Sequence, residues 1–130
     1  MLLVDDEADA RDLVTKLLQE QGAHVVTAPS AAEALIAFAR VHPEVLVSDI
    51  GMPEGDGYQL IAGVRALEAA RGDAPALAVA LTGHARAEDR ERALAAGFQH
   101  HLAKPFAPAE LLRVMATSPT LLKTGSGEGR

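Results

Sequence analysis

The chain has 130 residues, no cysteine and a formal net charge of −6, with hydrophobic residues at 48% but aromatics at only 3%. That length fits one domain with its own core. The missing cysteines exclude disulfides and thiolate metal sites, and the acidic balance argues against nonspecific nucleic-acid binding while letting acidic groups gather round a cation. Leu2-Leu3-Val4 reads as a short strand, followed by Ala10, Leu13, Val14, Leu17 and Leu18 as a helical stripe that Gly22 stops. The β-branched run Val25-Val26-Thr27 predicts a second strand, and Ser30 to Glu33 is a capping box opening a helix with Ala34, Leu35, Phe38 and Ala39 on one side. Val45-Leu46-Val47 predicts a third strand that ends in Ser48-Asp49 and breaks at Gly51-Met52-Pro53. Leu60, Ile61, Val64 and Leu67 mark the next helix, and Ala76 to Leu81, the longest apolar run, reads as a central strand. A charged helix from about Ala87 to Ala96 follows, with Gly97 as its C-cap. The more polar Phe98 to Leu102 suits an edge strand, and Pro108 opens a last helix with Leu111, Leu112, Val114 and Met115 facing inward.

Strand and helix alternate five times. Right-handed crossovers turn that alternation into a doubly wound (βα)5 three-layer sandwich, a parallel sheet between two helical layers. Residues 1–116 form the domain, and 117–130, with Pro119, Gly125, Ser126, Gly127 and Gly129, reads as a flexible tail or linker. No apolar run approaches the roughly 18 residues of a membrane span, and no basic region precedes the first apolar residues. A cytoplasmic protein without direct membrane contact is expected.

In a parallel sheet all strands end along one edge, so the residues after each strand carry the chemistry. They are Asp5, Asp6 and Glu7 after the first strand, Asp49 at the third, Thr82-Gly83 at the fourth and Lys104-Pro105 at the fifth. The flavodoxin-like order 2-1-3-4-5 brings these tips into one crevice. Asp5, Asp6 and Asp49 would repel one another there unless a cation joined them, and an all-oxygen set suits Mg²⁺, with Mn²⁺ as an alternative, rather than zinc. One carboxylate can then act as a nucleophile toward phosphorus. Lys104 would hold a phosphoryl oxygen as a point charge, the Thr82 hydroxyl would donate to another, and Gly83 would leave room for the group to approach. On this reading Asp49 is the acceptor.

These residues resemble the receiver domain of two-component response regulators. The motifs that carry the resemblance are LLVDDE (2–7), SDIGMPEGDGY (48–58), ALTGH (80–84) and HLAKPF (101–106), and the resemblance extends over about residues 2 to 116. The resemblance implies that Asp49 takes a phosphoryl group from a histidine kinase or histidine phosphotransfer protein. It implies that Asp6 and Asp49 ligate Mg²⁺ directly, that Asp5 acts mainly through water, and that the Gly51 carbonyl is a further ligand. Thr82, Lys104 and Pro105 complete the set. Such a chain is a phosphoacceptor switch that assists its own phosphorylation and dephosphorylation, not an enzyme with a separate substrate. Helix one and the loops around Asp49 are the expected donor-docking surface, with an unidentified downstream partner and a monomer or weak dimer.

The sequence departs from the family pattern at identifiable places. His101 stands where relatives carry the aromatic of the conformational readout, and Gly51 removes the side chain two residues after the acceptor. His84 follows Thr82-Gly83, in line with an approaching water, and with Gly51 is expected to tune the phosphoryl lifetime. The GFQHHLAKPF stretch resembles receivers attached to hybrid histidine kinases, and the start of the first strand at the N-terminus suggests an excised fragment. Bland readings exist for each residue: Asp5-Asp6 as a helix-capping pair, Thr82 as a strand-end hydroxyl, Lys104 as a solvated cation. Two other functions compete with the switch. An aspartate-nucleophile phosphatase would need a second aspartate where Gly51 stands, and a degenerate receiver that only binds protein would not need the full acidic, Thr and Lys set.

Overall fold

The computed structural model describes residues 1–50, 57–83, 87–104 and 106–116, the side chains of 87–89 and 108 excepted. Gly51, His84, Pro105 and the tail from 117 to 130 lie outside the described residues. The elements run β1 (Leu2–Val4), α1 (Ala8–Glu20), β2 (Val26–Ala28), α2 (Ala31–Val41), β3 (Val45–Asp49), α3 (Gly57–Arg71), β4 (Leu77–Thr82), α4 (Ala87–Ala96), β5 (His100–Ala103) and α5 (Pro108–Met115). All strand pairs are parallel, as the alternation predicts, and the order is β2-β1-β3-β4-β5, the one expected to bring the polar strand tips together.

Alternation of side chains along each strand divides the core into the two faces of the sheet. Leu2, Val4, Leu46, Ala78 and Ala80 pack with Ala34 and Phe38 of α2, Leu60, Ile61 and Val64 of α3, and Ala93 of α4. Leu3, Val45, Val47, Val79 and Leu81 pack the other way, against Leu18 of α1 and Leu111 of α5. Strands β3 and β4 are thus covered on both sides, which is why they read as unbroken apolar runs.

Local chemistry sets several element ends. Ser30 caps α2, its Oγ accepting the Glu33 N–H at 3.2 Å, while the Glu33 carboxylate returns only to the hydroxyl, at 3.4 Å, so the capping box is half formed. His42 closes the same helix in a left-handed conformation, φ 53°. Its ring lies between Arg71, 2.9 Å from Nε2, and Asp73, 3.5 Å from Nδ1. Gly97 ends α4 with φ 125°, as a C-cap glycine should. The strand expected from Phe98 begins instead at His100, because the Phe98 N–H donates to the Ala93 carbonyl at 3.1 Å and so closes α4.

The half-buried edge strand β5 gains a tether that periodicity does not reveal. Arg65 of α3 donates from Nε and one terminal nitrogen to the Gly97 carbonyl at 3.2 and 2.9 Å. It also donates to Gln99 Oε1 at 2.9 Å, to the Ala76 carbonyl at 2.9 Å and to Glu68 Oε1 at 2.8 Å. Glu68, although buried, accepts the Ala76 N–H at 2.7 Å, and Gln99 Oε1 accepts the Ala78 N–H at 2.6 Å. One guanidinium therefore joins α3 to the segments entering β4 and β5, the strand that leads to Lys104.

Candidate functional site

Strand register decides which polar tips meet. Asp49 pairs with Leu81, Val4 with Ser48, and Thr82 with Ala103. Continuing the alternation, Asp5, Asp49 and Lys104 fall on the α1/α5 side of the sheet edge, and Thr82 on the other. The Lys104 ammonium donates to Asp5 Oδ2 and to Asp49 Oδ2, each at 3.0 Å, although these residues lie 99 and 55 positions away in the chain. Burial pulls the Lys104 pKa down, but hydrogen bonds and Coulombic attraction from Asp5 and Asp49 outweigh it, so the net shift is upward. The group is a permanent cation at neutral pH.

Asp5 is 3% exposed and fully engaged. Its N–H donates to the Ala28 carbonyl at 3.2 Å, its Oδ1 accepts the Glu7 N–H at 3.0 Å, and its own carbonyl accepts from Arg11 at 2.8 Å. Asp6 is exposed, and Asp49 lies between the two in burial. Each of these three carboxylates offers an oxygen within 4.8 Å of the others. An all-oxygen donor set with one exposed member suits a hard divalent cation that keeps several waters, and it does not suit zinc. The residues present therefore fit such an ion.

Of the other expected residues that are described, Thr82 and Gly83 lie at the same edge. Thr82 ends β4 and is buried, and its carbonyl accepts the Lys104 N–H at 2.7 Å. Gly83 is exposed, and among the described residues no atom would come within 4 Å of a Cβ placed on it. Packing among the described residues therefore does not by itself require glycine there. His101 pairs with Ala80, on the Thr82 side of the sheet, and is half-buried. His100 faces the opposite way, so the adjacent histidines do not chelate together. Gly57 answers a packing need: a Cβ there would sit 2.7 Å from Ile50 Cγ2 and 2.9 Å from the Asp49 carbonyl oxygen. Glycine lets α3 start against the end of β3.

The family model for the response regulator receiver domain matches residues 1–116. The chain belongs to this family. Among its relatives, a protein of Leptolyngbya boryana named as an uncharacterized 14.6 kDa protein in the sodA1 3′ region is 48% identical over 115 residues, covering 88% of this chain and 86% of that one. Sensor protein GacS of Pseudomonas syringae pv. syringae is 34% identical over 115 residues, 88% of this chain but 13% of its own length. Transcriptional regulatory protein PrrA of Mycobacterium tuberculosis is 35% identical, with 86% of this chain and 46% of PrrA aligned. The receiver domain thus spans only a part of GacS and of PrrA, and it resembles a sensor protein and a transcriptional regulator about equally. The chemotaxis protein CheY4 of Vibrio cholerae has the same fold, with a TM-score of 0.79 at 29% identity over 90% of this chain and 95% of that one. Among the described residues no helix is long and apolar enough to cross a membrane.

Proposed function

We propose that this receiver domain accepts a phosphoryl group on Asp49 from a phosphohistidine donor, a histidine kinase or histidine phosphotransfer protein, with Mg²⁺ bound, and that the modified domain binds a partner differently. The reading rests on one observation above all: the Lys104 ammonium stands 3.0 Å from a carboxylate oxygen of Asp49 and equally close to Asp5, within the acidic cluster that Asp6 completes. A carboxylate oxygen of Asp49 attacks phosphorus, a P–O bond forms as the P–N bond breaks, and the bond's electron pair returns to the imidazole. Lys104 exchanges part of its contact with Asp49 for a phosphoryl oxygen, so the positive charge is in place before the reaction. Thr82 donates its hydroxyl to a second phosphoryl oxygen, and Gly83 leaves its path clear.

Asp6 and Asp49 would hold Mg²⁺ directly, with Asp5 behind them, its oxygens already committed to Glu7 and Lys104, and the Gly51 carbonyl as a further ligand. Bound there, the ion offsets the negative charge of the carboxylates and of the arriving phosphoryl oxygens. A cleft of about 410 Å³ beside Lys104, walled by Leu13, Val14, Leu17 and Phe106, supports α1 as the donor-docking surface. His101 serves as the readout residue, and His84 with Gly51 tunes the phosphoryl lifetime.

The test is to incubate the protein with acetyl phosphate and Mg²⁺ and follow its mass. One phosphoryl group per chain should be gained, and the gain should vanish in Asp49→Ala and on chelation of the metal. A gain that persists in Asp49→Ala refutes the assignment, and continuous turnover of unrelated phosphoesters would identify a phosphatase.

A further inference from the structure

The turn carrying Asp5 and Asp6 is braced by a side chain from the helix that follows it. Helix α1 has no side-chain cap of its own: its N-cap residue, Glu7, is extended at φ −90°, ψ 115° and makes no capping bond. Its first backbone donors are served from the site instead, the Asp5 carboxylate accepting the Glu7 N–H at 3.0 Å. From the next turn Arg11 reaches back 6 residues and donates to the Asp5 carbonyl at 2.8 Å. Residue 5 is thus tied forward through its side chain and again through its carbonyl.

The second tie bears on Asp6. The Asp5 carbonyl belongs to the same rigid planar unit as the Asp6 N–H, so fixing its direction fixes how the Asp6 Cα leaves the turn. Asp6 is exposed and, among the described residues, its carboxylate has no hydrogen-bond or ion-pair partner to hold it. Its aim toward Asp49 is therefore set by the backbone. An unbraced 5–6 peptide could rotate, and the cation would have to order it on binding.

We propose that Arg11 is a positioning residue for the divalent-cation site, orienting the Asp5–Asp6 peptide so that Asp6 faces the ion held with Asp49. The inference rests on the part of the proposed function that places Mg²⁺ among Asp5, Asp6 and Asp49. Supporting groups behind metal ligands are commonly worth about 10- to 100-fold in affinity. Arg11→Met keeps the aliphatic stem and removes the donor; Arg11→Lys keeps a donor.

Mn²⁺ binding to the full chain, followed by the loss of the free-ion electron paramagnetic resonance signal, reads the effect without any phosphoryl transfer. Arg11→Met should weaken binding by about tenfold or more, and Arg11→Lys should recover most of it. In an Asp6→Asn background the same Arg11 change should add little, because the residue it aims is already disabled. Phosphoryl uptake by Arg11→Met should be slow at limiting Mg²⁺ and return to within about twofold of wild type at saturation, as expected of a defect in ion binding alone. Equal Mn²⁺ affinity in wild type and Arg11→Met overturns the proposal, as do losses that add fully in the Asp6→Asn background. If Arg11→Met fails to fold, Arg11→Ala, which likewise removes the donor, is compared with Arg11→Lys, and equal affinity in those two overturns it as well. A wild type that binds Mn²⁺ in this Arg11-dependent way yet gains no phosphoryl group would refute the proposed function and leave the role of Arg11 standing.

Discussion

Replacing Arg65 with Met would strip the guanidinium from the junction of α3, β4 and β5 while keeping most of the side chain's length. Glu68 would then remain, with a side chain only 6% exposed and its Oε1 deprived of the partner at 2.8 Å. A buried charge left alone costs about 3–5 kcal/mol, and the Ala76 and Gly97 carbonyls would lose donors too. Against a total stability of roughly 5–15 kcal/mol for a domain of this kind, that is a large fraction. The companion change Glu68→Met in the same chain removes the stranded charge and leaves mainly the Ala76 N–H without its acceptor, a loss of about 1–3 kcal/mol. The double variant should therefore be more stable than Arg65→Met alone, with a coupling of about 2 kcal/mol or more. Urea unfolding followed by far-UV circular dichroism measures all four corners of the cycle. A double variant less stable than Arg65→Met, or an Arg65→Met loss under about 1 kcal/mol, would refute the claim that this ion pair is desolvated and interdependent. Because the junction anchors the start of β5, Arg65→Met should also slow phosphoryl uptake on Asp49 by loosening Lys104 at the other end.

Gly57→Ala should destabilise by about 1–3 kcal/mol, since the new methyl meets the Asp49 carbonyl oxygen and Ile50 Cα, both at 2.9 Å, and backbone cannot swing aside. Urea unfolding checks the loss, and a variant as stable as wild type would contradict the packing of α3 against β3. The Lys104 pairing makes a pH prediction for the metal-free protein. Because the folded-state pKa lies above the ordinary 10.5, the stabilisation is fully present below that pH and disappears as pH rises through the higher folded value. In EDTA the difference in unfolding free energy between wild type and Lys104→Met should be flat from neutral pH to about 10 and shift against wild type above about 10.5. A difference already changing between pH 7 and 9 would mean that Lys104 is not held by the carboxylates.

The site has an ordering of burial that fits its proposed work. Asp5, saturated with partners, acts as a fixed negative wall; Asp49 shares an oxygen with an ammonium; Asp6 stays open to solvent. On the proposed function, charge would be assembled in advance on both sides of the reacting oxygen, leaving little reorganisation for the transfer step.

Much of this protein is legible in its residues alone. The alternation of apolar runs with helical stripes points to a parallel, doubly wound sheet, because a right-handed crossover admits few arrangements, and the polar residues after strands one, three, four and five single out the order 2-1-3-4-5 among them. The motifs at the strand ends name the candidate residues Asp5, Asp6, Asp49, Thr82 and Lys104. Their local signals are strong because turn-forming and polar residues interrupt otherwise apolar strands. Tertiary structure alone decided how these residues share the space. Register put Lys104 on the same side as Asp5 and Asp49 and Thr82 on the other, and periodicity within one strand carries no information about its neighbour's alignment. Arg11 and Arg65 escaped notice for a related reason. An arginine on a helix looks the same in sequence whether it meets water or a backbone carbonyl, and here the carbonyls belong to a turn 6 residues back and to a segment 32 residues ahead. Gly57 is visible as a glycine in the sequence, but only the approach of α3 to the end of β3 shows that it supplies room.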